Sequence, residues 1–171
     1  MKKIPLDLKS VSPYQLEQAK LFARYSIDTN IDLHVARGQS DLNAIHKQMY
    51  SGKVAEFAVC RYLVSKGKEP SQPDLNIYDI ENKSYDADLI CGDTKIHVKS
   101  HIVSDKYAVS WVFQKRDNLI TEPSSNDFLA LVVFDKKGSY FYLVKASDVT
   151  YKAPLKEELR NNKVCIYESD L

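Results

Sequence analysis

The chain has 171 residues, with 24 Lys or Arg against 23 Asp or Glu, so its formal net charge at pH 7 is +1. This length is typical of one domain with its own core, and 44% hydrophobic with 27% charged residues exclude a disordered or fibrous chain. The balanced charge excludes binding of nucleic acid through bulk charge, although it permits a local basic patch.

The cysteines and the apolar runs indicate a cytoplasmic protein without a membrane partner. No apolar run approaches the roughly 20 residues needed to cross a bilayer, and the residues before Asp7 are not typical of a secretory signal. The cysteines Cys60, Cys91 and Cys165 are odd in number and lack C-x-x-C spacing. We therefore expect neither a disulfide framework nor a thiolate zinc site. We expect the protein to lie in a reducing compartment.

Two helical patterns come first along the chain. Ser12 and Pro13 form a helix start, an N-cap followed by proline in the first turn, and apolar residues at helical spacing predict a helix over 13–25. A second helical pattern begins after Ser40, a candidate N-cap, and ends at Gly67.

Short β-rich runs bounded by turn residues follow from residue 73 onward. The predicted strands are 75–80, 86–91, 94–100, 106–114, 128–135, 139–145 and 163–167, with a short helix near 154–160. This order predicts an α/β (α+β) fold. We expect a mixed, mostly antiparallel central sheet of about five strands, flanked by helices and preceded by an N-terminal helical segment.

The segment 85–100 combines polar and apolar residues in the pattern of a hairpin with a Gly-Asp turn. The turn sets a register in which Asp88 lies opposite His97. Two residues further along, Asp86 faces Lys99. Side chains alternate across a strand, so these four polar groups share one face, and the apolar residues share the other. A solvent-facing polar side with a weak surface ion pair would produce the same pattern.

Glu56 lies among apolar positions of the second helical pattern, on a wheel drawn for 52–66. An unpaired carboxylate there would cost several kcal/mol, so it requires a lysine, a metal ion or backbone donors as partner. Gly52 lies one turn earlier on the same face, and we expect it to leave room beside the carboxylate. The alternatives are a buried structural Glu–Lys pair and a glutamate at a helix break near Ser51.

The helix carries Gly-x-x-x-Glu, and the hairpin that follows has Asp in its first strand and x-x-Lys at the end of its second. This arrangement resembles the core of the PD-(D/E)XK nuclease superfamily. That superfamily includes restriction endonucleases, junction resolvases and repair nucleases. The resemblance covers Gly52 to Lys145 and implies a restriction-endonuclease-like sheet. It predicts a single nuclease-like domain over 1–171, with a helical N-terminal segment 1–50, a core 52–145 and a C-terminal extension 146–171.

The resemblance implies a centre that holds one or two divalent metal ions. Glu56 matches the helix acid and Asp88 the hairpin acid, with Asp86 on the same face as the alternative. Lys99 matches the lysine that positions the attacking water. The implied catalytic residues are Asp88, His97, Lys99 and Glu56, and the implied metal ligands are Glu56, Asp86, Asp88 and His97.

His97 departs from the family pattern, because it stands where the family has Asp or Glu. Three interpretations follow. A neutral imidazole is a metal ligand that favours Mn²⁺ or another transition metal over Mg²⁺. Alternatively, His97 hydrogen-bonds the scissile phosphate or a water while carboxylates hold the ion. In the third interpretation catalysis is lost and only binding is kept. The expected cofactor is accordingly a divalent metal ion, Mg²⁺ or Mn²⁺.

A basic stretch after the hairpin suits contacts with phosphates, although an ordinary solvated charged face has the same composition. The predicted nucleic-acid-binding residues are Lys95, His101, Lys106, Gln114, Lys115 and Arg116.

Taken together, these patterns predict a metal-dependent endonuclease that hydrolyses phosphodiester bonds of DNA, of restriction, junction-resolving or repair type. The resemblance also implies a homodimer, in a bacterial or phage-infected cell, with helices 13–25 and 40–50 reading the substrate or forming the dimer. The alternative is a catalytically inactive nuclease-fold module that binds nucleic acid or a protein partner.

Overall fold

A computed structural model describes residues 1–36, 41–78 and 86–171 of the chain. Helix α1, Pro13–Ala36, begins with a capping box in which Ser12 and Gln15 exchange hydrogen bonds between side chain and backbone N–H. The helix continues beyond the predicted 13–25 with a kink at Asn30, and its second half buries Ser26 and Ile27.

Helix α2, Leu42–Ser65, is capped by Asp41, whose carboxylate accepts from the Ala44 N–H at 3.0 Å. Ser40, the predicted cap, lies outside the described residues. The helix is unbroken at Ser51, so the predicted division there is wrong. The prediction that Gly52 relieves crowding is also wrong, because a Cβ added at Gly52 would meet nothing within 4 Å.

The central sheet has five strands in the order β1-β6-β5-β3-β2, and a second sheet pairs β4 with β7. The bounds are β1 Ile4–Pro5, β2 Leu89–Cys91, β3 Thr94–Ile102, β4 Ser110–Gln114, β5 Asp127–Phe134, β6 Tyr140–Lys145 and β7 Lys163–Tyr167. A short helix α3, Asn118–Thr121, precedes β5. Strands β3 and β5 are parallel and the other pairs are antiparallel, which confirms the predicted mixed α/β fold with about five strands.

Four predicted elements are shorter in the structure or missing from it. Residues 75–78 form no strand, and 79–80 lie outside the described residues. The strand predicted over 86–91 begins only at Leu89, and that predicted over 106–114 begins at Ser110 because a turn occupies 104–107. The helix predicted near 154–160 is a single 3₁₀ turn, Glu157–Leu159.

The central sheet is covered on both faces. Leu89, Ile96 and Val98 of the hairpin belong to one apolar core together with Ala55 and Val59 of α2. A second core contains residues of the β4–β7 ribbon, Trp111, Phe113 and Ile166, with Leu129, Leu131 and Val133 of β5. The Trp111 indole N–H donates to the Val132 carbonyl at 3.0 Å and anchors the ribbon to the sheet. Strand β3 therefore separates α2 from the ribbon.

The C-terminal segment is joined to the sheet by more than the ribbon. The Glu168 carboxylate accepts from the hydroxyls of Tyr140 at 2.7 Å and Tyr142 at 2.8 Å, and it lies 3.0 Å from the Lys3 ammonium. In the described part of the chain, no helix is both long enough and apolar enough to span a bilayer.

We expect Gly52→Ala to raise the free energy of unfolding by about 0.5–1 kcal/mol, because glycine in a helix interior carries an entropic penalty and the new methyl meets no atom. Urea denaturation of the variant measures this difference. Gly67→Ala is the control and should lower the free energy of unfolding by about 1–2 kcal/mol, since Gly67 has a φ of +72°. A destabilised Gly52→Ala protein would contradict the open surroundings of this position.

Candidate active site

The hairpin register places Asp88 beside β3. Leu89 pairs with Ile96 and Cys91 with Thr94, as the Gly-Asp turn predicts. Asp88, just before β2, accepts a hydrogen bond at its Oδ2 from the Val98 N–H at 2.7 Å. This side-chain bond takes the place of the next backbone bond of the ladder, which explains why β2 begins only at Leu89. The Asp88 carboxylate is thereby fixed to the backbone of β3 at Val98.

Asp86 lies outside the backbone ladder that pairs β2 with β3. It lies in an exposed bend before β2, so the predicted cross-strand pair with Lys99 does not form as a strand pair. Its charge contributes to the raised pKa of Tyr78, of which the hydrogen bond to Asp74 is the main cause.

Glu56 is buried in α2, only 8% exposed, as its place among apolar positions predicts. Its Oε2 lies 2.7 Å from Nζ of Lys53, which is also buried. The same ammonium donates to the Asp74 carbonyl at 2.7 Å and lies 4.3 Å from the centre of the Phe22 ring. The partner that the carboxylate requires is therefore a lysine of its own helix, one of the alternatives expected from the sequence.

Burial raises the pKa of Glu56 to about 8, and the negative charge of Asp88 adds to the effect, while Lys53 and Lys99 oppose it. Because Asp88 and Lys99 act on this carboxyl, the helix acid and the charged groups of the hairpin are within electrostatic reach of each other. These charges act on Glu56 even though α2 packs on one face of β3 and Lys99 points to the other.

Lys99 points to the side of the sheet that the ribbon covers. Its Nζ lies 5.7 Å from the centre of the Phe113 ring, which belongs to the second core, whereas its neighbour Val98 packs in the core that contains α2. Lys99 is half-buried, so its ammonium is partly shielded from water.

His97 has a partner that sequence reasoning missed. Its Nε2 lies 3.4 Å from Oδ1 of Asp127, and both side chains are largely buried. The other carboxylate oxygen of Asp127 accepts from the Ser124 N–H at 2.8 Å, which holds the acid in place. The contact arises because β5 runs parallel to β3 with Asp127 beside Lys95. The predominantly antiparallel sheet expected from the sequence offered no reason to pair these residues.

The side chains of the candidate site are of the chemical types that bind a hard cation. Their positions fit such an ion less well. Within 1–36, 41–78 and 86–171, no three His, Cys, Asp or Glu side chains are grouped closely enough to hold a metal ion. Glu56 and Asp88 offer carboxylate oxygens, the ligands that Mg²⁺ and Mn²⁺ prefer, and Asp88 raises the pKa of Glu56. A divalent ion bound at Glu56 would supply positive charge that favours the ionised carboxylate there.

The predicted nucleic-acid-binding residues fall into two groups. His101 contacts the Ser110 carbonyl through Nδ1 at 2.9 Å, and Lys99 contacts Phe113, so β4 runs back along β3. Gln114, Lys115 and Arg116 therefore lie towards the start of β3 with Lys95, whereas Lys106 lies in the turn beyond its end. The basic stretch of the sequence is not one continuous surface.

Comparison of the chain with models of known protein families, with curated proteins and with solved structures gives no match. Assignment of a function to this site consequently depends on the local motif and on the geometry described above.

We expect the stability of the protein to fall as the pH rises from about 4.5 to about 8, because folded Glu56 keeps its proton over this range while the unfolded chain loses it. Glu56→Gln cannot titrate and should remove this dependence. The difference in melting temperature between the variant and the wild type should therefore shift in favour of the variant from pH 5 to pH 9. The corresponding change in their relative free energy of unfolding is a few kcal/mol.

Thermal denaturation at several pH values tests this expectation. Glu122→Gln, a change at an exposed glutamate, is the control and should follow the wild-type pH profile. Parallel profiles for Glu56→Gln and the wild type would show that Glu56 titrates normally.

Proposed function

We propose that the chain is a divalent-metal-dependent endonuclease that hydrolyses phosphodiester bonds of DNA. The observation that carries the proposal is electrostatic. The pKa of the buried helix carboxylate, Glu56, is raised by burial first and by the charge of Asp88 second, while Lys99 opposes the shift, and these are three of the groups that the nuclease-like motif selects. The proposal includes action in the cytoplasm of a bacterial or phage-infected cell, as a homodimer.

The anionic oxygens of a phosphodiester repel a nucleophile, and catalysis requires that this charge be neutralised. A bound divalent ion supplies Lewis acidity and lowers the pKa of its water. In this chain Glu56 and Asp88 would hold the ion, with Asp86 as the alternative acid. The Val98 N–H fixes the Asp88 carboxylate, so that its orientation is set before substrate binds.

Lys99 would orient the attacking water from the ribbon side of β3, where the Phe113 ring limits the freedom of its side chain. His97 would contact the scissile phosphate or that water, and Asp127 would hold its imidazole in position. In a protonated imidazole both ring nitrogens are donors, so one could contact Asp127 and the other a phosphate.

Lys53 has a defined part in this scheme, because its ammonium lies 2.7 Å from Oε2 of Glu56 and would compete with a divalent ion for that carboxylate. Glu56 has to lose its proton to bind an ion, and its raised pKa makes that loss unfavourable below about pH 8. The affinity for a divalent ion should accordingly rise with pH, since ion and proton compete for one carboxylate.

A second function, an inactive nuclease-fold module that binds nucleic acid or a protein partner, is favoured by a different observation. Glu56 and His97 each have a charged partner within the fold, Lys53 and Asp127. Across the described ranges, three chelating side chains nowhere come together as a metal cluster. In such a module these pairs would be purely structural.

Asp88→Ala and Lys99→Ala should each reduce cleavage by about 100-fold or more, since each removes a group that acts on the charge developing at the phosphate. The assay combines single-stranded, duplex and branched DNA with Mg²⁺ or Mn²⁺ and measures product by gel electrophoresis. Asp93→Ala, at the exposed hairpin turn, is the control and should cut like the wild type. DNA binding without cleavage in any metal would instead support the inactive module.

His97→Glu should retain or increase cleavage in Mg²⁺, because it restores a carboxylate where the family has one. His97→Gln, which keeps a polar side chain without charge, should not do so. Initial rates in Mg²⁺ and Mn²⁺ measure the difference. Loss of cleavage by the glutamate variant in both metals, with an unchanged circular dichroism spectrum, would indicate a role specific to histidine, such as proton transfer.

A further inference from the structure

The turn after β3 and the segment before the 3₁₀ turn at Glu157 bring together two lysines and a tyrosine. Nζ of Lys106 lies 5.2 Å from the centre of the Tyr107 ring, and Nζ of Lys156 lies 5.3 Å from it. Tyr107 is 47% exposed, and both lysines are exposed as well. We name these three residues the Tyr107 cluster.

The cluster has an excess of positive charge. Elsewhere in the described residues the ammonium groups of Lys3, Lys53 and Lys152 lie within 4.0 Å of a carboxylate, but those of Lys106 and Lys156 do not. The neighbouring acids along the chain do not neutralise it: Glu157 contacts Arg160 at 3.3 Å, and Asp105 and Glu158 are exposed and form no ion pair within the described ranges.

The phenol responds to this charge. Hydrogen bonding by Lys106 lowers the pKa of Tyr107, and the charges of Lys106 and Lys156 act in the same direction. Two ammonium groups that would repel each other thus lie near one tyrosine, whose hydroxyl is a further hydrogen-bond donor. This is the donor set that binds a phosphate, whose two anionic oxygens accept several charged hydrogen bonds.

The location of the cluster relates it to the candidate active site. The Val103 N–H donates to the Phe134 carbonyl at 3.0 Å, so the turn continues from the carboxyl ends of the parallel strands β3 and β5. Lys99 and Ile102 are three positions apart on β3, about 10 Å along the strand, and the Tyr107 cluster lies beyond Ile102. A DNA strand with its scissile phosphate at Lys99 would therefore reach the cluster with a different phosphate.

We propose that Lys106, Tyr107 and Lys156 form a binding site for a backbone phosphate of DNA, next to but separate from the scissile phosphate. This inference rests on the proposed function for its choice of ligand. Tyr107 and Lys156 are additions to the predicted nucleic-acid-binding residues. The site contacts the backbone alone, so it contributes affinity and register without base specificity.

Fluorescence anisotropy with a labelled 20-base-pair duplex, measured in EDTA at several salt concentrations, tests the site without any cleavage. Lys106→Ala and Lys156→Ala should each weaken binding about fivefold, and the double variant about 20-fold. The slope of log affinity against log salt should lose about 0.9 for each phosphate contact removed. Tyr107→Phe keeps the ring and loses the hydroxyl, and should weaken binding about twofold.

Lys152→Ala is the matched control, because Lys152 lies in the same segment but is paired with Asp170 at 2.6 Å. It should leave the salt slope unchanged. A double variant that binds as this control does, or a wild-type protein that does not bind the duplex in EDTA, overturns the site. Weakened binding by the double variant, with no cleavage by the wild type in any metal, would uphold the site and reject the nuclease proposal. Cleavage by the wild type, together with undiminished binding by the double variant, would uphold the nuclease proposal and reject the site.

Discussion

The buried contact between Lys53 and Glu56 is the constraint on which the rest of the site depends. A carboxylate inside an apolar helix face is unfavourable unless a cation accompanies it, and here the cation comes from the same helix at 2.7 Å. One ammonium does not offset the burial fully, because Asp88 adds a second negative charge and the pKa of Glu56 rises to about 8. The region between α2 and the hairpin is therefore short of positive charge. A divalent ion would offset that shortage of positive charge. A proton on Glu56 offsets it in the absence of an ion.

Strand β3 is the element around which the remaining groups are arranged, on both of its faces and at both of its edges. Its two faces pack on different layers, since Ile96 and Val98 contact the α2 core while Lys99 contacts Phe113 of the ribbon. Its edges also differ: Asp88 is bonded to it on the β2 side, and Asp127 reaches His97 from the β5 side. A single strand thus collects two acids, an imidazole and an ammonium. Their positions follow from the ladder and from packing, without any contribution from a bound ion.

Much of the fold and part of the site could be predicted locally. The Gly-Asp turn predicted the Leu89–Ile96 register correctly, because a two-residue turn and side-chain alternation leave one choice. The burial of Glu56 followed from helical periodicity. Gly52 was misjudged, since a wheel shows which residues share a face but not how far the neighbouring element lies. The short β2 was missed because a side chain, that of Asp88, replaces a backbone acceptor.

The sequence by itself determined that helices precede most of the strands, the hairpin register and the buried carboxylate, since each depends on residues close together in the chain. Only the tertiary structure decided that Asp127 faces His97 and that Lys156 joins Lys106 at Tyr107. The first contact requires a parallel pairing across 30 residues, and the second unites two turns about 50 residues apart. Neither partner carries a local pattern, because the free energy that brings them together comes from the packing of whole layers.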